Sequence, residues 1–129
     1  MPSLEWTTVT IDCRDAEALG NFYCRLLGWD ITARDGRGWV QARDPNGGVG
    51  LNFQSDPGYR TPIWPEVPGE QAKMLHFEIL VDDLEAAVAD ATAAGAAVAP
   101  HQPRDRDPSR LRVMLDPAGH PFCLYVAGE

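Results

Sequence analysis

The order strand, helix, strand, strand, strand occurs twice along these 129 residues, and that repetition limits the fold more than any single motif does. In the first half, Leu4 to Asp12 is rich in Thr, Val and Ile, the composition of a strand. Asp15 then stands as a helix N-cap ahead of Leu19, Phe22, Tyr23 and Leu26, which recur at the spacing of an amphipathic helix. Gly28 falls just past its end, where a left-handed residue stops a helix. Strands are expected at 29–33, 39–43 and 49–54, separated by the turn signals Asp35-Gly36 and Asp44-Pro45-Asn46-Gly47. The second half predicts a strand over 74–81 and a helix capped by Asp82 or Asp83, carrying Leu84, Ala87, Val88 and Ala91 and ending at Gly95. Strands at 96–99, 111–115 and 122–126 complete it. The capping Asp, the terminal Gly and an Asp-Pro turn each recur about 70 residues apart, as a repeat requires.

A few strands and one helix bury too little apolar surface to stand alone, so both halves are read as one domain over 1–129. Module 1 spans 4–54, module 2 spans 74–127, and a Pro-rich arm covers 55–73. The arm carries Pro57, Pro62, Pro65 and Pro68, which supply fixed backbone angles and no amide donors. Ile63 and Trp64 are too apolar for a free linker and are expected to pack on the module interface, a pocket rim or a second subunit.

Composition narrows the function. A net charge of −8 repels phosphate backbones, which tells against nucleic acid as a partner. No stretch has the length and apolarity to span a membrane, and the N-terminus lacks the basic-then-apolar pattern of a secretory signal. Three cysteines, Cys13, Cys24 and Cys123, without framework spacing fit a reducing cytoplasm. No G-x-S-x-G, Walker or dinucleotide-binding glycine motif is present, which argues against hydrolase, nucleotidase and NAD chemistry.

The segments VTIDCRDAEALGNFYCRLLGW, LHFEILVDDLEAAVADATAAGA and DPAGHPFCLYV resemble the vicinal oxygen chelate superfamily of glyoxalase I, bleomycin-resistance proteins and extradiol dioxygenases. With LNFQ and the PIWPE arm, the pattern is similar to its bacterial glyoxalase-like branch and covers essentially the whole chain. The resemblance implies an α+β fold of two tandem βαβββ modules with curled mixed sheets, a small-molecule pocket inside them, and a homodimer. It also implies metal-ligand positions on the first and last strand of each module: here Thr8, Asn52 (or Gln54), His76 and Cys123. That set departs from the His, Gln and Glu ligands of the metal enzymes, so a divalent metal is disfavoured and the cofactor stays unassigned.

His76 is the candidate base, acid or metal ligand, with Glu78 two residues on to orient it. Thr8, Asn52 and Gln54 are candidates for orienting a ligand, and Trp39, Phe53, Trp64 and Tyr125 for lining an apolar pocket. Cys123 reads as a small buried hydrophobe or a ligand contact. The acidic chain favours a cationic ligand, whereas Arg104, Arg106, Arg110 and Arg112 favour an anion. Two functions stay open: an enzyme of lyase, isomerase or dioxygenase type, and a metal-free binding or resistance protein.

Overall fold

Asp15 decides where the first helix begins: its carboxylate accepts from Ala18 N at 3.1 Å, while Ser55 Oγ accepts from Ala16 N at 2.9 Å. Two of the amides that a helix start leaves unpaired are thereby satisfied. These residues belong to the first of two compact units, Met1–Tyr59 and Arg60–Glu129, in a computed structural model that describes residues 2–128.

In the first unit, β1 (Thr8–Cys13), α1 (Ala16–Leu27), β2 (Asp30–Asp35), β3 (Trp39–Arg43) and β4 (Gly50–Ser55) follow the expected order. The sheet order is β1-β4-β3-β2, with β1 parallel to β4 and the remaining pairs antiparallel. The first strand starts at Thr8 rather than Leu4, because its ladder partner β4 begins at Gly50, opposite Thr8. α1 buries Leu19, Phe22 and Tyr23 and ends at Gly28, whose φ of 71° is left-handed and whose N–H donates to Cys24 O. Gly20 sits where the helix meets the sheet: a Cβ there would lie 3.0 Å from Val40 Cγ1, so only glycine allows this approach without displacement. Arg34 on β2 clamps the Glu17 carboxylate in the first turn of α1, with Nε donating to both oxygens at 3.0 and 3.1 Å and Nη2 to Oε1 at 2.9 Å.

The second unit repeats the order with β5 (Phe77–Leu80), α2 (Leu84–Ala94), β6 (Ala97–Val98), β7 (Leu111–Leu115) and β8 (Pro121–Tyr125), in the sheet order β5-β8-β7-β6. Asp83, not Asp82, caps α2, accepting from Ala86 N at 3.1 Å. β6 has only two residues, and the Gln102 side chain takes over beyond it. Its amide nitrogen donates to Ala99 O and Val113 O at 2.9 and 2.8 Å, and its oxygen accepts from Val113 N at 2.8 Å. A side-chain amide thus does the work of a further strand residue at the edge of β7. The two four-stranded mixed sheets, each with one helix, are the α+β βαβββ pair the sequence predicts. Among the described residues, no helix is long and apolar enough to cross a membrane.

Candidate functional site

Alternation along WVQAR divides β3 into two faces: Val40 and Ala42 are buried toward α1, and Trp39, Gln41 and Arg43 take the other side. Cross-strand register extends that second face. Thr10, Asn52 and Gln41 form one row, Asp12, Gln54, Trp39 and Asp35 the next, and Thr8 stands beside Gly50 on the other flank.

The middle row is hydrogen-bonded from one edge of the sheet to the other. Asn52 Nδ2 donates to Thr8 Oγ1 at 3.0 Å and to Thr10 Oγ1 at 3.2 Å. Gln41 Nε2 donates to Asn52 Oδ1 at 3.3 Å, and Thr32 Oγ1 donates to Gln41 Oε1 at 3.0 Å. Thr32 reaches Gln41 because the β2–β3 register shifts between Ile31 and Ala33, placing an extra residue there. Arg43 sets the direction of the whole belt. Its Nε can only donate, and it meets Gln41 Oε1 at 3.4 Å, so the Gln41 amide nitrogen must face Asn52. The Asn52 nitrogen must in turn face the two threonines.

Thr8, Asn52, Gln54 and Trp39 therefore share one face of the first sheet. Phe53 does not, and its assignment as a pocket-lining residue is corrected. One residue away from Asn52, it turns to the opposite face, is fully buried and stacks on Tyr23 of α1 with ring centroids 5.7 Å apart. Sequence reasoning missed Thr10, Thr32, Gln41 and Arg43. The 39–41–43 alternation could have found the last two, but their bonding partners are distant in sequence.

Trp64 and Cys123 belong to the second unit. Trp64 packs against the cluster of Ala99, Val113 and Cys123, its Nε1 donates to His101 O at 3.1 Å, and the Lys73 ammonium lies 4.7 Å from its ring centroid. Lys73 also pairs with Glu66 at 2.7 Å, so the arm carries its own tether. Burial pushes the Cys123 thiol above its ordinary range, and Glu78, its cross-strand neighbour, acts in the same direction. A neutral thiol is a poor nucleophile and a poor metal ligand.

His76 falls just before β5, exposed, and its Nε2 lies 3.9 Å from Glu78 Oε1, beyond a hydrogen bond. Of the Arg-rich stretch, Arg112 is engaged with Glu85 of α2 at 2.7 Å and Arg110 with Ala127 O, so these two are structural cations. The sequence reading also passed over an Asp–His pair: buried Asp116 accepts from His120 Nδ1 at 2.9 Å and from the amides of Ala118 and His120. The i,i+4 spacing in DPAGH was its only local signal.

The four metal positions implied by the resemblance do not fit a divalent ion. Asn52 turns N–H donors toward Thr8, Cys123 is held neutral, and His76 is the one remaining strong donor. Among the described residues, no group of three or more His, Cys, Asp or Glu side chains is arranged to hold a metal.

Solved structures share this architecture. A glyoxalase/bleomycin resistance protein/dioxygenase family enzyme from Burkholderia phytofirmans PsJN is 22% identical, with a TM-score of 0.66 over 95% of this chain and 98% of that one. TnmS3, an antibiotic binding protein from Streptomyces sp. CB03234, is 20% identical, with a TM-score of 0.63 over 99% of both chains. A possible glyoxalase from Bacillus cereus is 13% identical, with a TM-score of 0.66 over 95% and 99%. At these identities the likeness is one of fold. No curated protein matches the sequence significantly. The glyoxalase-like domain matches residues 8–125, spanning both βαβββ modules, and this chain belongs to that family within the vicinal oxygen chelate superfamily.

Proposed function

We propose that this chain is a metal-independent binding protein for a small organic molecule, held on the amide–hydroxyl face of the first sheet. The belt from Thr32 through Gln41 and Asn52 to Thr8 and Thr10 carries the proposal. It is a fixed array of neutral hydrogen-bonding groups with Trp39 and Gln54 on the same face. Such groups orient a ligand while flat apolar surface supplies affinity. TnmS3 is described as an antibiotic binding protein, which makes antibiotic-like aromatic compounds the first class to test. The reading also has the protein as a cytoplasmic homodimer. Exposed Leu4, Trp6 and Met74 supply apolar surface for a partner copy, and among the described residues no disulfide joins the cysteines.

The test is a thermal-shift screen of chelator-treated protein against cationic, neutral and anionic aromatic compounds. Binding raises the unfolding midpoint by mass action, and the rise should vanish in Asn52→Leu. A uniformly flat screen overturns the reading. Elemental analysis after exposure to Ni²⁺, Zn²⁺, Mn²⁺ or Fe²⁺ should find no stoichiometric metal. Stoichiometric metal that is lost in His76→Ala would restore a lyase, isomerase or dioxygenase-type enzyme.

A further inference from the structure

We propose that Arg43 is the anion-recognition residue of this face, and that the ligand presents it with a single carboxylate. The inference rests on the small-molecule reading above and names the chemistry of that same site. Arg43 is half-buried at the end of β3, yet none of the ion pairs among the described residues includes it. Lys73 and Arg112, likewise half-buried, each hold a carboxylate at 2.7 Å. Among the described residues, no carboxylate occupies the guanidinium of this half-buried residue, and a planar carboxylate matches its donors. Asp30 stands opposite Arg43 in the register without forming an ion pair with it.

Gly50 gives the arginine its place. A Cβ at residue 50 would lie 3.1 Å from Arg43 Cγ, 2.9 Å from Ala42 O and 3.6 Å from Thr8 Cγ2. Gly50 is buried: with no side chain of its own, it lets the Arg43 stem and the Thr8 methyl close over its backbone, which brings these two side chains together on the face. The direction of the belt adds two more donors. Thr8 and Thr10 accept from Asn52 Nδ2, which leaves each hydroxyl its own proton to give outward. Two hydroxyl donors and a guanidinium suit a group that only accepts.

Charge along the face is mixed: Asp30 stands in the row of Arg43, and Asp12 and Asp35 in the row of Trp39 and Gln54. One planar guanidinium matches one planar carboxylate, and a net charge of −8 disfavours a ligand carrying more negative charge.

Calorimetric titration with naphthalene-2-carboxylate and with its neutral counterpart naphthalene-2-carboxamide tests this, because the two differ in charge and hardly in shape. The wild-type protein should bind the carboxylate at least about tenfold more tightly. Arg43→Met should bring that ratio to about one, and Arg43→Lys should retain part of it. Equal affinities in the wild type, or a preference that survives Arg43→Met, overturn the carboxylate assignment and leave the small-molecule reading standing. Binding of neither probe also overturns the assignment, and a flat screen alongside it removes the small-molecule reading as well. The wild-type comparison decides even where Arg43→Met fails to fold.

Discussion

Phe53 and Asn52, adjacent on β4, serve opposite faces of one sheet: Phe53 stacks on Tyr23 with planes 8° from parallel, and Asn52 donates to Thr8 at 3.0 Å. A single step along the strand separates the core from the candidate ligand face. Phe53→Ala should therefore cost about 3–5 kcal/mol of stability, the usual range for emptying a packed aromatic site. Urea unfolding measures it. A cost under about 1 kcal/mol would mean that Phe53 is not a core residue.

Asn52→Leu should behave differently. It removes three side-chain hydrogen bonds at once, to Thr8, Thr10 and Gln41, but the threonines keep access to water. A loss of about 1–3 kcal/mol is expected, together with loss of the ligand-induced thermal shift. Retained ligand stabilisation in a folded Asn52→Leu protein would take the ligand off this face.

Cys123 links burial to pH. Its folded-state pKa lies above the ordinary 9.0, because burial and then Glu78 disfavour the thiolate. The unfolded chain ionises first as pH rises, so this stabilisation is complete below about pH 9 and is lost as pH climbs through the raised folded value. Cys24 shifts the same way, burial again being the largest cause. The urea midpoint should fall above pH 9, and less steeply in Cys123→Ala. An identical slope in both proteins would show that Cys123 is not coupled to folding.

Trp64 covers that thiol's surroundings, packing on Ala99, Val113 and Cys123. Trp64→Ala should raise the rate at which iodoacetamide alkylates Cys123, by about tenfold if the thiol becomes as accessible as a surface residue. Peptide mapping by mass spectrometry assigns the modified site. An unchanged rate would mean that the arm does not shield the sheet.

Light scattering checks the homodimer. At tens of micromolar, roughly the range of ordinary dimer affinities, the mass should be twice that of the chain. A single-chain mass overturns it.

The parts of this protein legible in the sequence are those whose physics is local. Asp15 and Asp83 cap their helices through amides three residues ahead, and Gly28 ends α1 through a backbone angle that its neighbours rarely adopt. The repeat of those signals carried the α+β, twin-βαβββ architecture. Strand limits were less legible, since β1 starts where β4 gives it a partner rather than where its composition changes.

The candidate site needed the tertiary structure throughout. Thr8 and Asn52 are 44 residues apart, Thr10 and Asn52 42, and Gln41 and Asn52 11, so no local pattern ties them together. The role of Arg43 depends on Gln41 beside it, on Gly50 across the sheet, and on the absence of a pairing carboxylate among the described residues. The sequence by itself determined the helices, the repeat and the alternation that gives each strand two faces. Tertiary structure decided which face became hydrogen-bonded and in which direction, because donors and acceptors pair through space once the strands are in register.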